Sequence, residues 1–383
     1  MKMNSKSWFS TALPIAAIFA FRMLGLFMLI PIFSIYGQNL EHSTPILIGV
    51  ALGSYGFSQG LMQMPFGILS DYYGRKKLLF IGLMLFALGS LVGAYSQSIY
   101  SMIFARFLQG AGAIGSVLIA LLADLVEDQD RPKAMAIIGS SIGLSFALAM
   151  ILSPFVAQQY GLAGIFQLTA ILACLGLAIM LLFIPKIEHQ RPSPFQFSHL
   201  KDCFLPRELM ICHMGIWGQH FILTSSFFAI PLMLKAINAP LNYFYLSLML
   251  LAFGLMMPLI IISERQKKRP QLFQLSLGLL FIGQLLMIFI PAKIYWIWGA
   301  LFLYFIAFNL LEALFPAMIA KAAKAELKGT ATGIYSTLQF LGIFFGGLWA
   351  GICYKYFGTT GIFITNTFIS LLYILLFFRG KPM

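Results

Sequence analysis

Three side chains that are charged in water at neutral pH lie well inside long apolar stretches of this 383-residue sequence: Arg22, Arg106 and Glu312. A charge on a single helix at the centre of a bilayer costs about 2.5–3.5 kcal/mol on insertion scales, so each needs a partner or an aqueous cavity. Glu312 is the only carboxylate among them, and a carboxyl group in such surroundings can exchange a proton under a physiological gradient. We predict that Glu312 gains and loses a proton as part of the function of this protein. The alternative is a fixed buried pair with an arginine.

Other polar residues within the apolar stretches extend this candidate site. Asn309 precedes Glu312 by one helical turn and lies on the same face. His213 and His220 are seven residues apart, hence on one helical face, and imidazole titrates near neutrality. A proton relay through the two histidines is one interpretation, and the other is a pair of packed or hydrated polar residues near a helix end.

Glutamines within the apolar stretches could supply uncharged hydrogen bonds to a ligand. Gln59, Gln63, Gln109 and Gln339 all have this setting. We favour Gln109 and Gln339 as ligand-binding candidates. Such amides can equally bridge neighbouring helices, at about 1 kcal/mol each.

The composition identifies the elements that must hold these residues. Apolar residues make up 60% of the chain and charged residues 10%, which is too little polar surface for a water-soluble globule. A bilayer helix needs about 20 largely apolar residues. The sequence lacks the strict two-residue alternation that is typical of a transmembrane β-barrel. Twelve stretches meet this length: 9–35, 46–69, 78–95, 99–123, 133–157, 162–185, 209–234, 242–263, 271–291, 294–318, 329–352 and 358–378.

The net charge of +13 comes from basic residues that are distributed as in a membrane protein and are not gathered on one nucleic-acid-binding face. Lysines and arginines are concentrated at both termini and in the loops after even-numbered spans. Only Lys235, Lys293 and Lys355 lie in loops on the other side. By the positive-inside rule, this predicts that both termini are cytoplasmic. The first stretch is far longer than a signal-peptide core and is predicted to be an uncleaved span.

The sequence carries no motif that we would expect of an ATP-driven pump or a metalloenzyme. It lacks a phosphate-binding glycine loop ending in Lys-Ser or Lys-Thr, and it lacks His and Cys residues at metal-binding spacing. The four cysteines show no paired spacing and are interpreted as packing residues. We therefore expect no cofactor, with a proton gradient as the energy source.

The loop at 67–77 and its echo near residue 264 indicate an internal repeat. The first copy runs Gly-Ile-Leu-Ser-Asp-Tyr-Tyr-Gly-Arg-Lys-Lys, and an offset of 193 aligns Asp71 with Glu264. Six spans separate the copies, which is typical of a parallel repeat of two bundles. The proline-rich interval after residue 185 reads as a linker. The predicted domains are an N-terminal six-helix bundle at 1–185, a cytoplasmic linker at 186–208 and a C-terminal six-helix bundle at 209–383.

Two motifs resemble those of the major facilitator superfamily. Gly67-x-Leu-x-Asp-x-x-Gly-Arg-Lys76 resembles its signature after the second span. Arg106-x-x-Gln-Gly-x-Gly-Ala113 resembles the arginine motif of its drug:proton antiporter branch. The likeness covers essentially the whole chain and is most specific in the first half, where the sequence is similar to bacterial YajR-type transporters.

This resemblance implies roles for the loop residues. In the family, the motif aspartate lies against the N-terminus of span eleven, whose partial positive charge would hold Asp71 and keep the cytoplasmic side shut. Arg75 would pair with Asp124 at the foot of span four. The expected latch residues are therefore Gly67, Asp71, Gly74, Arg75, Lys76 and Asp124, with a weaker second-half copy at Glu264 and Lys268.

The resemblance also implies a role for Arg106, which the family motif associates with proton coupling. A structural arginine bonded to backbone carbonyls is the alternative. Arg22 stands where related exporters of cationic drugs tend to have an acid. Two arginines against one glutamate disfavour organic cations, so we expect neutral, zwitterionic or anionic amphipathic substrates.

Two features depart from the family pattern. YajR-type transporters carry a small soluble domain after span twelve, whereas this sequence ends five residues beyond Phe378. In span five, the antiporter Gly-Pro and glycine pair are replaced by small residues at Ala149, Ser153, Pro154 and Ala157. The replacement of the antiporter glycines in span five is also compatible with an importer.

We therefore predict a proton-coupled secondary active transporter that exports small amphipathic organic compounds by alternating access. The alternatives are a proton-linked importer of a nutrient or siderophore and, from another class, a non-transporting membrane receptor. The expected setting is a bacterial inner membrane. The expected partners are a small-molecule substrate, protons and the lipid bilayer, with no nucleic acid, and the protein is expected to act as a monomer.

Overall fold

The structure is a computed structural model that describes residues 8–185, 198–324 and 327–378. Over these residues the chain is almost entirely helical, with no β-strand and one isolated bridge between Glu41 and Ser98. The predicted all-helical architecture is confirmed. This outcome follows from the bilayer, in which a helix satisfies its own backbone hydrogen bonds.

The chain divides into two compact units, which are described separately below. The first unit comprises Met1–Ile32, Leu40–His42 and Ser54–Phe195. The second comprises Phe33–Asn39, Ser43–Gly53 and Gln196–Met383. Most of the predicted linker, residues 186–197, lies outside the described residues, so the predicted domain boundaries stay a prediction.

Five helices and the second part of a sixth build the first unit. Its helices are α1 (Trp8–Phe27), α4 (Arg75–Ala94), α5 (Ile99–Ala111), α6 (Gly115–Leu125) and α7 (Arg131–Phe183), with α3 (Pro45–Tyr73) contributing its residues from Ser54 onward. Helix α1 packs along α7. Two hydroxyls of α7 secure that contact, since Ser145 donates to Ala20 O over 3.0 Å and Ser153 donates to Met28 O over 2.5 Å.

The second unit contains the remaining helices. They are α2 (Phe33–Tyr36), α8 (Ser198–Phe204), α9 (Arg207–Ala236), α10 (Leu241–Arg265), α11 (Arg269–Phe289), α12 (Ile294–Ala322) and α13 (Lys328–Phe378), together with the first part of α3. Helix α13 packs along α9 over much of its length. This contact is the main scaffold of the second unit.

The twelve predicted spans all coincide with helical segments. By length and composition alone, eight helices of the described residues could cross a membrane, and two of these, α7 and α13, each merge two spans. Helices α3 and α9 are not among the eight, but at 29 and 30 residues they are also long enough to cross. Both carry several polar side chains, which matter for the site below.

Each merged helix breaks at a single glycine. Gly161 divides α7 with φ 60° and ψ −156°, and Gly358 divides α13 with φ 65° and ψ −161°. This backbone region is essentially open only to glycine. Gly161 lies in the predicted gap between spans five and six, and Gly358 is the first residue of predicted span twelve, next to the gap that precedes it.

Two predicted spans are interrupted, which corrects their assignment as single helices. The span at 9–35 ends its helix at Phe27 and continues through a tight turn to α2. Pro31 accounts for this break, because proline clashes with the carbonyl four residues earlier. The span at 99–123 is broken between α5 and α6, where Gly112 adopts φ −76° and ψ 57° and frees its carbonyl from the helical pattern. That carbonyl becomes part of the site.

Candidate functional site

Arg22 lies at the centre of a buried polar cluster in the first unit. Its side chain is 1% exposed, and Nη2 donates to Gln59 Oε1 over 2.5 Å and to Gly112 O over 3.1 Å. Its Nε and Nη1 atoms have no hydrogen-bond partner within the described residues. The guanidinium carbon lies 5.6 Å from the ring centre of Phe86 and 5.9 Å from that of Tyr55. The break in span four therefore supplies one of the two acceptors of Arg22.

Arg106 belongs to the same cluster. Its Nη1 donates to Gln109 Oε1 over 2.9 Å, and Gln109 Nε2 donates to Ser90 Oγ over 2.8 Å. Its guanidinium carbon lies 4.9 Å from the ring centre of Tyr55, so two arginines flank one aromatic ring. Arg106 thus contacts a side-chain amide, rather than the backbone carbonyls considered as the alternative from sequence.

Neither arginine forms an ion pair within the described part of the chain. Their buried charges are offset by amide oxygens, one carbonyl and aromatic faces, which are weaker partners than a carboxylate. The glutamines extend the network, because Gln59 Nε2 donates to Gln63 Oε1 over 2.9 Å. The first unit therefore presents a buried cluster with net positive charge.

Glu312 lies in the second unit and is held by two amides. Gln219 Nε2 donates to its Oε2 over 3.1 Å, and Gln339 Nε2 donates to its Oε1 over 3.3 Å. The carboxylate of α12 thereby joins α9 to α13. Its side chain is 37% exposed, which gives water or a proton access to an otherwise buried network. No arginine pairs with it among the described residues.

His220 completes this group on α9. Its Nε2 accepts from Gln339 Nε2 over 2.8 Å and lies 3.9 Å from Glu312 Oε2, while Nδ1 lies 3.3 Å from Ile216 O. The imidazole is 7% exposed. Gln339, Glu312 and His220, each singled out from sequence, therefore meet in one place.

Two other sequence candidates take different positions. His213 does not join His220: its Nε2 is 3.1 Å from Cys203 O, and its ring stacks on Phe204 of α8 at 6.0 Å. The structure therefore does not bring the two histidines together for a proton relay. Asn309 is 6% exposed, and its Nδ2 has no hydrogen-bond partner within residues 8–185, 198–324 and 327–378.

Glycines of α13 bring Gln339 to this group. A Cβ at Gly342 would overlap the carbonyl of Trp217, and a Cβ at Gly346 would overlap that of Phe221. The backbones of α13 and α9 can approach only because these positions lack side chains. One helical turn before Gly342, this close approach places the amide of Gln339 beside His220.

The predicted loop at 67–77 is helical on both sides of a break at Gly74, and this junction of α3 and α4 has a compact charge arrangement within the first unit. Arg75 forms an ion pair with Asp71, donates from Nε to Asp124 Oδ2 over 3.0 Å, and donates from Nη1 to Ser70 Oγ over 2.6 Å. Gly74 takes φ 97°, a conformation that favours glycine. Arg75 therefore ties the end of α3 to the end of α6.

The other predicted residues of this loop have packing roles. Lys76 Nζ donates to Ile184 O over 2.5 Å, at the C-terminal end of α7, where a cation is favourable. A Cβ at Gly67 would reach Ser116 at 3.5 Å, ordinary contact distance. The lysine thus fastens the loop to the last span of the first unit.

The second-half copy keeps the turn but changes its chemistry. Glu264 Oε1 accepts from Arg269 Nη2 over 2.8 Å, so Glu264 pairs with Arg269 rather than with the predicted Lys268. Lys267, which the offset of 193 aligns with Gly74, has φ 57°. A left-handed residue therefore stands at the same place in both loops, with a lysine in the second.

Sequence reasoning missed a further buried cluster in the second unit. Asn366 Nδ2 donates to Ser226 Oγ and Gln284 Oε1, each over 3.1 Å, and Ser225 Oγ donates to Asn366 Oδ1 over 2.8 Å. All four side chains are fully buried. Their spacing along the chain gives no signal, because they come from α9, α11 and α13.

Comparison with known proteins agrees with this architecture. Residues 15–347 match the sequence profile of the Major Facilitator Superfamily. The inner membrane transport protein YajR of Escherichia coli K12 is 38% identical over 367 residues, which covers 94% of this chain and 81% of that protein.

Two solved structures share the fold. The human organic anion transporter MFSD10 superposes with a TM-score of 0.71 at 17% identity, covering 97% of this chain and all of that one. The nucleoside transporter NupG (D323A mutant) superposes with a TM-score of 0.76 at 13% identity, covering 97% and 99%. With the profile match and the YajR relative, these likenesses make the chain a multi-pass membrane protein of the Major Facilitator Superfamily, a secondary transporter and not an enzyme.

Proposed function

We propose that this protein is a proton-coupled transporter that exports small amphipathic organic compounds by alternating access. The observation that carries the proposal is Glu312, a carboxylate inside a span that is both held by two amides and 37% exposed. Coupling requires a group whose interactions differ between its protonated and deprotonated forms. Glu312 meets this requirement, because a carboxylate accepts two N–H donors and a carboxylic acid must itself donate.

The buried charges favour some substrates over others. Arg22 and Arg106 form no ion pair in the described residues, so the first unit holds two buried cations without a carboxylate partner. Like charge disfavours an organic cation at such a site. We therefore propose neutral, zwitterionic or anionic amphipathic substrates, and preferential transport of a quaternary ammonium dye would contradict this.

The loop at 67–77 is proposed to act as a cytoplasmic latch. Its support is the set of bonds by which Arg75 joins Asp71, Asp124 and Ser70. These bonds hold the loop rigid, as an element that closes one side of a transporter must be. The predicted contact of Asp71 with the start of span eleven stays a prediction, as does the cytoplasmic location of both termini.

A proton-linked importer of a nutrient or siderophore is the second candidate. The observation that favours it is span five, where Ser153 donates to Met28 O and stands in place of the antiporter glycines. A non-transporting receptor is disfavoured, because it has no need for an exposed carboxylate inside a span. Direction of transport separates exporter from importer.

The proposal is tested with Glu312→Gln in the full-length protein, reconstituted in proteoliposomes with an imposed pH gradient. The probes are three amphipathic dyes that are cationic, neutral and anionic, with a lumenal pH dye to follow protons. We expect the wild type to couple dye flux to proton flux and Glu312→Gln to lose the gradient-driven component. Glu127→Gln is the matched control, since Glu127 is exposed and its carboxylate contacts only Gln129 among the described residues. Full gradient-driven flux in Glu312→Gln would show the proposal to be wrong.

A further inference from the structure

Glu312 is the acceptor in both of its amide hydrogen bonds. Both carboxylate oxygens accept, Oε2 from Gln219 and Oε1 from Gln339. A protonated carboxyl group turns one of these oxygens into a donor, and an N–H group cannot accept its hydrogen. The protonated oxygen is a weaker acceptor for its amide, and an amide could accept the new hydrogen only if it rotated and presented its oxygen.

Gln219 cannot rotate without losing a bond. Its Nε2 also donates to Phe308 O over 3.1 Å. Rotation would bring the amide oxygen against that carbonyl oxygen, leaving two buried acceptors facing each other, which is costly. Gln219 is therefore fixed as a donor by the backbone of α12.

Gln339 is fixed as a donor by His220 instead. An amide nitrogen can only donate, so at 2.8 Å His220 Nε2 must be the acceptor. The hydrogen of the neutral ring is then on Nδ1, which lies 3.3 Å from Ile216 O and donates to it. One N–H of Gln339 thus points to His220 and the other to Glu312.

We propose that His220 and Gln339 form a polarity lock that makes this site specific for the deprotonated form of Glu312. The inference rests on the proposed role of Glu312 as the proton site. While His220 is neutral, Gln339 can offer only N–H groups, so protonation of Glu312 weakens its contact with α9 or with α13, and neither amide can accept the new hydrogen. His220 is a positioning residue in this scheme, because it acts on Glu312 through Gln339.

A proton on His220 reverses the lock. The proton adds to Nε2, which then donates, and Gln339 can rotate to accept from both His220 and a protonated Glu312. The same three residues can therefore be bonded in two ways, one with no added proton and one with a proton on each titrating group. A single proton on Glu312 alone leaves a mismatch, which falls on the contact of α12 with α9 or with α13.

The setting transmits this change to the helices. Gln339 lies one turn before Gly342, where the backbones of α13 and α9 touch. Other titratable groups act on the site from two elements: the buried hydroxyls of Tyr304 on α12 and Tyr335 on α13 interact with Glu312.

The remaining charged groups on and near α9 stand apart from the lock. Arg207, Glu208 and Lys235 lie in the first and last turns of α9. Lys201 and Asp202 belong to α8, and α8 contacts α9 at His213, seven residues before His220. The lock is therefore confined to His220, Gln339 and Glu312.

The test is a double-mutant cycle in which the protonation of Glu312 is measured directly, with no substrate present. Full-length protein in lipid nanodiscs is titrated with pH while infrared difference spectra follow the protonated carboxyl band, assigned to Glu312 by its loss in Glu312→Gln. The variants are His220→Phe, Gln339→Met and the double variant. Phenylalanine suits the first because the ring of His220 already packs beside Phe308, with centroids 5.8 Å apart. Gln284→Met is the control, a second buried amide of the same unit.

We expect each single variant to move the pH of half-protonation by about one unit, the size expected for one hydrogen bond to a charged group. The double variant should equal Gln339→Met, because His220 has no effect once Gln339 is gone. Gln284→Met should titrate as the wild type. Additive shifts in the double variant would overturn the proposal in favour of a direct action of His220 on Glu312. Unchanged midpoints, or the absence of any band lost in Glu312→Gln, would also overturn it.

This cycle is independent of the flux assay. If Glu312→Gln keeps gradient-driven flux while the cycle behaves as expected, the coupling role fails and the lock stands. If Glu312→Gln abolishes that flux and the cycle is additive, the coupling role stands and the lock fails.

Discussion

The backbone breaks at Gly161 and Gly358 allow a quantitative test of how spans are joined. At each, φ is near 60° and ψ is near −160°. A residue with a side chain held in such a region costs about 1–3 kcal/mol. A Cβ at either position would meet nothing within 4 Å, so substitution adds no clash and removes no contact. Gly161→Ala should therefore lower the free energy of unfolding by about 1–3 kcal/mol, all of it from the backbone.

The matched control is Gly139→Ala in the same helix. Gly139 is also free of neighbours around its Cβ position, but its backbone is helical. Alanine there should raise stability by up to about 1 kcal/mol, because it favours the helix over glycine. Unfolding of the full-length protein by sodium dodecyl sulfate in mixed micelles, followed by circular dichroism, gives both values. Equal stabilities for Gly161→Ala and Gly139→Ala would refute the argument from backbone strain.

Two further substitutions address the loops. Asp71→Asn should leave the protein folded, because Arg75 keeps its bond to Asp124. It should nevertheless reduce gradient-driven flux in proteoliposomes, whereas the control Asp128→Asn should not. Wild-type flux in Asp71→Asn would show that the loop is no latch. Lys267→Gly should stabilise the protein by about 1 kcal/mol in the same unfolding assay, because Lys267 has φ 57°, and an unchanged stability would contradict a strained turn there.

The sequence predicts the spans well because a bilayer imposes length and apolarity on every helix. All twelve stretches coincide with helical segments, and the gaps before Gly161 and Gly358 fall near the backbone breaks. The interruptions within spans one and four were missed, since apolar composition continues through them. Pro31 and the glycine-rich stretch around Gly112 were the available signals.

The partners of the site residues were less predictable. Glu312 and Gln339 could be singled out because polar residues are rare in apolar spans, but their contact depends on how α12 and α13 are rotated. That rotation is set by close packing, such as the overlap of Gly342 with the backbone of Trp217. His213 shows the limit of reasoning from one helix, because it shares a face with His220 and yet binds α8.

A comparison of the two units suggests a reason for the placement of the proposed proton site in the second unit. The spacing of 197 residues that relates Gly161 to Gly358 also relates Arg22 to Gln219. Each of these side chains donates to a backbone carbonyl of the fourth span in its own unit, that of Gly112 or that of Phe308.

The same structural position thus holds a permanent cation in one unit and a neutral amide in the other. An arginine beside a carboxylate would hold it in the charged form across the physiological range. The amide of Gln219 binds Glu312 without supplying a charge, and this neutral surrounding is what the proton exchange proposed for Glu312 requires.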